Sequence, residues 1–207
     1  MLPTYRINEI FYSLQGEGCY AGTPAVFIRF SGCDLKCSFC DTDHSLKETL
    51  TAQEIVSRIS QELQKKGVIR TNHILIVLTG GEPTIQKDLL FLIERLYHYS
   101  PLAIAMETNG GHPEILKEIK EKFPEFWITI SPKPQQEHSI DFFKGLAEAN
   151  EIKVVFDGVI NPEDFYDSDI PCFIQPCSQN YEPAVDYVLK HPWWILSTQI
   201  QKILDIR

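Results

Sequence analysis

AVFIRFSGCDLKCSFC, residues 25–40, runs from a strand straight into a ligand loop. Ala25–Phe30 is rich in β-branched and aromatic residues and stops at Ser31 and Gly32, both turn formers. Cys33, Cys37 and Cys40 follow with the spacing C-x3-C-x2-C. Thiolates are soft ligands, and three of them on a tight loop suit zinc or an iron–sulfur cluster. A four-iron cluster usually takes four cysteines. Three leave one iron without a protein ligand, open to a small molecule as an open zinc position is open to substrate. His44 keeps a second reading open, because Cys33, Cys37, Cys40 and His44 would close a Cys3His zinc site. Asp34, Lys36 and Asp41 make the segment polar, which weighs against inert buried cysteines.

Further along the chain the pattern of a strand followed by a polar turn repeats. Ile74–Leu78, Leu102–Met106, Phe126–Ile130, Ile152–Phe156 and Cys172–Ile174 are short, β-rich runs. Helical periodicity lies between them. Thr51-Ala52-Gln53-Glu54 has the form of a capping box, Ile55, Val56, Ile59 and Leu63 then share one face, and Gly67 is a natural stop. Lys87–Tyr99 repeats the pattern with Leu89, Leu92, Ile93, Leu96 and Tyr97, and Pro113–Lys122 with Ile115, Leu116 and Ile119. Beyond Lys133 the pattern weakens. These elements predict an α/β fold, an open, truncated (β/α) barrel of about six parallel strands with fewer helices. No repeat or linker divides the chain, so residues 1–207 are expected to form a single domain. The clusters SGC, TGGEP, ETNG, SPKP, FDG and QP end the strands, and in parallel α/β sheets that edge binds ligands.

Composition narrows the partners. A net charge of −9, with no basic run longer than Lys65–Lys66, argues against nucleic acid. No stretch reaches the roughly 20 apolar residues of a membrane span, and MLPTYRINEI lacks the form of a secretory signal. A cytoplasmic protein is therefore expected, in which the six cysteines are not a disulfide framework.

With Phe39 before its last cysteine, the loop resembles the cluster loop of the radical S-adenosylmethionine (SAM) superfamily, and Thr79-Gly80-Gly81-Glu82-Pro83 resembles that superfamily's GGE motif. The resemblance implies a [4Fe-4S] cluster on Cys33, Cys37 and Cys40, with SAM on the open iron. The GGE segment would hold the methionine ammonium, through glycine carbonyls that approach closely and through Glu82. Leu14-Gln15-Gly16-Glu17-Gly18, Cys40-Asp41-Thr42, Glu107-Thr108-Asn109-Gly110, Ser131-Pro132-Lys133 and Gln175-Pro176 together resemble the 7-carboxy-7-deazaguanine synthase family over essentially the whole chain. That resemblance implies a radical SAM carbon–nitrogen lyase. Its reaction is the ring contraction of 6-carboxy-5,6,7,8-tetrahydropterin to 7-carboxy-7-deazaguanine, with release of ammonia, in queuosine and other 7-deazapurine biosynthesis.

Residue by residue, the family match implies pterin contacts at Leu14, Gln15, Gly16, Arg29 and Thr79, and Mg2+ on Thr42. Arg29 suits a carboxylate chemically. SAM contacts are implied at Phe39, Cys40, Asp41, Gly81, Glu82, Ser131, Pro132 and Lys133, and from Gln175 through Pro176 and Cys177 to Ser178. A homodimer and an electron donor such as a flavodoxin or ferredoxin are implied as well. The chain departs from the family near its end, reading Gln199-Ile200-Gln201-Lys202 where Gln-Thr-His-Lys is common. Gln201 hydrogen-bonds but does not titrate near neutrality, so it is expected to orient substrate and not to transfer protons. The Arg207 carboxylate is a further expected contact. Two other classes stand beside this reading: a glycyl-radical-enzyme activase, whose relatives often show Cys-x-Asn where this chain has Cys40-Asp41-Thr42, and a Cys3His zinc module. Tyr187, Trp193 and Trp194 fit either a core or an interface.

Overall fold

The computed structural model of the chain describes residues 2–69, 74–99, 103–133 and 144–206. Its strands are β1 (Thr4–Leu14), β2 (Pro24–Phe30), β3 (Glu48–Thr51), β4 (Leu75–Gly80), β5 (Ile104–Thr108), β6 (Trp127–Ile130), β7 (Glu151–Phe156), β8 (Cys172–Pro176) and β9 (Ile195–Leu196). They form one sheet in the order β3-β1-β2-β4-β5-β6-β7-β8-β9. From β2 to β9 every neighbouring pair is parallel, while β1 runs antiparallel to both β2 and β3. The barrel does not close, as expected, because β3 and β9 remain the sheet's two edges.

Helices α1 (Ala52–Lys65), α2 (Leu89–Tyr99), α3 (Pro113–Lys122), α4 (Tyr181–Lys190) and the short α5 (Ile200–Ile203) accompany the sheet. The capping box at α1 forms: Glu54 N–H donates to Thr51 Oγ1 at 3.3 Å, and Thr51 N–H donates to Glu54 Oε2 at 2.7 Å. At the other end Gly67 N–H closes on the Gln64 carbonyl at 2.9 Å. α2 begins two residues later than expected, at Leu89. Asp88 just before it has φ 58°, and its carbonyl accepts from Phe91 N–H and from the Tyr5 hydroxyl.

Alternation along the strands sorts side chains into two layers. Val26, Ile28, Ile76, Leu78, Ile104, Met106, Ile128, Ile152, Val154 and Ile174 meet the buried faces of α1, α2 and α3. On the opposite face Ala25, Phe27, Leu75, Val77 and Ala105 pack with Phe11 in a smaller apolar layer. Two residues further along, that inner face turns polar with Arg29, Thr79 and Glu107. Register sets them side by side: Arg29 opposite Thr79, Glu107 opposite Thr129, and Thr129 opposite Glu151.

The six expected strands are present, with Leu102 outside the described residues and β5 starting at Ile104. Sequence periodicity missed β1, whose alternation breaks at a bulge between Ile7 and Glu9. It missed β3 and β9, which are too short to show a period, and α4, where Pro183 lies in the first turn and Ala184 is the one fully buried residue. The C-terminal aromatics separate: Trp194 is buried, Trp193 is 45 % exposed, and both indoles and the Tyr187 hydroxyl donate to the Glu163 carboxylate.

Thr51→Ala removes one half of the capping box and is expected to lower stability by about 1 kcal/mol. Urea unfolding with an unchanged denaturant slope checks this.

Candidate active site

The strand ends open into a cavity of about 1030 Å3. On one side lies the cysteine loop, on another the GGE loop after β4, and the ends of β5, β6, β7 and β8 complete the wall. The cysteine loop and the GGE loop are sewn together by backbone. Gly81 N–H donates to the Phe30 carbonyl at 3.0 Å and Glu82 N–H to the Gly32 carbonyl at 2.9 Å. A Cβ on Gly81 would stand 1.6 Å from the Gly32 oxygen, so no larger residue fits without moving backbone.

Glu82, 1 % exposed, joins this pair to β5. Its Oε1 accepts from Thr84 Oγ1 and Thr108 Oγ1, both at 2.6 Å, and from Thr84 N–H at 3.1 Å. Its Oε2 accepts from Asn109 N–H at 2.8 Å. The carboxylate thus meets four protein donors, and its role in this geometry is to position the loops. Asn109 carries the chain of contacts on, donating through Nδ2 to Asp34 Oδ1 at 3.0 Å, while His112 Nε2 lies 2.9 Å from Asp34 Oδ2. The second residue of the cysteine loop is therefore held from β5.

Cys33, Cys37 and Cys40 line the cavity wall and form no disulfide. Burial pushes the Cys33 thiol up, and Glu82, Asp34 and Cys37 add to this against the Leu35 N–H, so the protein alone does not favour the thiolate there. Bound iron would supply the missing positive charge. Lys133, just past the end of β6, is half-buried nearby; desolvation lowers its pKa while Cys37, Glu82 and Cys33 pull it up, and its Nζ donates to Ser131 Oγ at 2.7 Å. Three soft ligands lining one cavity, beside the Lys133 ammonium, suit an iron–sulfur cluster in donor chemistry. Among the described residues no three His, Cys, Asp or Glu side chains converge on one point as a single ion requires, so the Cys3His closure with His44 is not formed.

Opposite the cysteine loop stands a buried ionic network. Lys153 on β7 pairs with Glu17 and lies 3.5 Å from Glu107 Oε1. Glu107 accepts from Gln15 Nε2 at 3.0 Å and Thr79 Oγ1 at 3.2 Å. Glu17 Oε1 accepts from Gln199 Nε2 at 2.9 Å and Gln201 Nε2 at 3.2 Å. Burial alone would raise the Glu17 carboxyl, but the Lys153 ammonium and the two amides hold it at about 2. Burial likewise opposes the Lys153 charge, yet Glu107, Glu17 and Glu151 raise it above the ordinary lysine range. Arg29 sits beside this network, donating through Nε to Glu9 Oε1 at 2.9 Å with its guanidinium over the Phe11 ring.

Every site residue expected from sequence lines this cavity except Gly16 and Pro132, which lie beside it in the chain, and Arg207, which is outside the described residues. Thr42 lines it too, and the turn after it is capped by Asp43, which accepts from Ser45 N–H at 2.9 Å. Lys202 donates to Asp41, tying the C-terminal segment to the cysteine loop. Sequence reading missed the network's centre. Lys153 is a lone charge inside the apolar run IKVVF, and a charge within a central parallel strand is the signal that would have found it.

Fold and cavity together define an open-barrel enzyme built around a three-cysteine cluster loop. The Radical SAM superfamily model matches residues 27–133. The 7-carboxy-7-deazaguanine synthase of Bacteroides thetaiotaomicron is 42 % identical over 98 % of this chain and 98 % of its own. That of Burkholderia multivorans is 36 % identical over 98 % and 99 %. The crystal structure of QueE from Escherichia coli superposes with a TM-score of 0.68 at 26 % identity, covering 95 % of this chain and 94 % of that one. The chain belongs to the radical SAM superfamily and, within it, to the 7-carboxy-7-deazaguanine synthases.

Gly81→Ala forces the two loops apart and is expected to abolish cluster assembly, read as bound iron and visible absorption after anaerobic reconstitution. A second prediction concerns acid. Because the Glu17 carboxyl is depressed on folding, its stabilisation is complete above about pH 4.5 and is lost as pH falls towards 2. Glu17→Gln is expected to flatten the stability–pH curve in that window, measured by urea unfolding at each pH.

Proposed function

We propose that this chain converts 6-carboxy-5,6,7,8-tetrahydropterin to 7-carboxy-7-deazaguanine with release of ammonia, a carbon–nitrogen lyase step of queuosine and related 7-deazapurine biosynthesis. One observation carries the reading: a single cavity is lined both by the cysteine loop and by Leu14, Gln15, Arg29 and Thr79, the residues matched to the pterin. Held by Cys33, Cys37 and Cys40, a [4Fe-4S] cluster would supply the one-electron reduction of SAM that starts radical chemistry on the substrate.

The chain's own residues then position and shield. Cys33, Cys37 and Cys40 hold the cluster. Ser131 and Lys133 on one side, and Gln175 to Ser178 on another, hold the SAM ribose and carboxylate, with Phe39, Cys40 and Asp41 along the adenine. Backbone left free by Gly80 and Gly81 receives the methionine ammonium. Arg29 and a Mg2+ ion on Thr42 take the pterin carboxylate and neighbouring oxygens, a role one hydroxyl can fill because Mg2+ keeps several waters and accepts substrate ligands. Gln201 orients the ring without exchanging protons. A cytoplasmic homodimer reduced by a flavodoxin or ferredoxin completes the proposal.

The test is anaerobic reconstitution with iron and sulfide, then SAM, reductant, Mg2+ and the tetrahydropterin, with mass spectrometry of the product. 7-Carboxy-7-deazaguanine is expected, and Cys37→Ala abolishes it. Chelating Mg2+ is expected to slow turnover by roughly tenfold or more, and Thr42→Ala to raise the Mg2+ concentration needed. Deoxyadenosine without that product would move the substrate elsewhere.

A further inference from the structure

A buried cation that none of the assigned roles uses stands on the substrate side of the cavity. The Lys153 side chain is 5 % exposed. Carboxylates from three places face it: Glu17 from the loop after β1, Glu107 on β5, and Glu151 two residues back on its own face. Lys133 is the second cation within its field. Burying an ammonium costs several kcal/mol unless it is paired and hydrogen-bonded.

What Lys153 pairs with is informative. Glu107 is the acceptor for Gln15 and Thr79, and Glu17 is the acceptor for Gln199 and Gln201. Three of these four donors, Gln15, Thr79 and Gln201, are matched to the substrate. Gln201 is held tightly. With its amide nitrogen on Glu17, its buried Oε1 has no hydrogen-bond partner and rests against Gly16, where a Cβ would come within 1.5 Å of it. Without the ammonium, crowded carboxylates would repel one another, and one would take up a proton. A protonated Glu17 or Glu107 becomes a donor and lets go of the amides it now orients.

We propose that Lys153 is a positioning residue for the pterin: acting through Glu17 and Glu107, it fixes Gln15, Thr79 and Gln201. The proposal rests on the pterin reading above and adds to it the group that sets the charge state of the substrate half.

Lys153→Met, uncharged and of similar length, tests it in the reconstituted holoenzyme. Binding of 6-carboxy-5,6,7,8-tetrahydropterin is followed by calorimetry with SAM present and reductant left out, alongside KM for pterin and for SAM in turnover. Pterin affinity is expected to drop by about 30-fold or more. It should drop further between about pH 8 and about pH 6, where the unsubstituted enzyme stays level. KM for SAM stays within about twofold, since SAM contacts the other half of the cavity. Lys153→Arg keeps the charge at a changed reach; it is expected to weaken pterin binding without the pH dependence, and it carries the test if the methionine variant does not fold. An unchanged pterin affinity, or equal losses for pterin and SAM, overturns the proposal. Failure of the unsubstituted holoenzyme to bind the pterin overturns the pterin reading, and the proposal with it.

Discussion

The site depends on one backbone contact, the seating of Gly81 on the carbonyl of Gly32. It brings the loop after β4 within hydrogen-bonding distance of the loop after β2, with Gly81 and Glu82 N–H groups on the Phe30 and Gly32 carbonyls. These two loops come from neighbouring parallel strands, so the sheet has already placed their roots side by side. Glycine turns that adjacency into contact. Glu82 then fastens the pair to β5, and Asn109 passes the restraint to Asp34 inside the cysteine loop. A loop with three cysteines and no regular structure of its own is thereby held from two strands.

The same parallel sheet explains why one cavity contains two chemistries. The inner faces of β2, β4 and β5 are apolar near their starts and polar near their ends, and register lines up the polar ends. The apolar layer of Phe11, Phe27 and Val77 forms a dry floor, which strengthens every charge interaction above it. Above that floor lie two lysines, Lys153 buried and Lys133 half-buried. Lys133 faces the cysteines, and Lys153 faces the carboxylates on the other side of the cavity.

Much of this was legible in the sequence, for identifiable reasons. The strand cores and α1 to α3 announced themselves because their apolar periodicity is unbroken and their caps are local, as the Thr51–Glu54 box shows. The cysteine loop and the GGE loop were legible because each is contiguous and follows its strand directly. β1 was not, since a bulge at Ile7 to Glu9 destroys the alternation that would reveal it. Glu82 was read as a contact for SAM, but its four protein donors, from Thr84, Thr108 and Asn109, were not legible, two of those residues being distant in sequence. The ionic network was least visible of all. Glu17, Glu107 and Lys153 are widely separated along the chain, and only the closing of the strand ends around one space makes them neighbours.

That network also gives a physical setting for Gln201 in place of a histidine. An imidazole beside Glu17 and Lys153 would change charge near neutrality and disturb the balance that Lys153 maintains. A glutamine amide donates to Glu17 with the same strength wherever that carboxylate is ionised, and its other end has no proton to lose. Gln199 repeats the contact from two residues earlier, so the C-terminal segment grips one carboxylate twice. Lys202 adds a grip on Asp41 at the far side of the cavity. The segment therefore spans from Glu17 to the cysteine loop on bonds of which none requires a group that titrates near pH 7. An amide on one ionised carboxylate keeps the segment seated across neutral pH, where a side chain that titrates there would not.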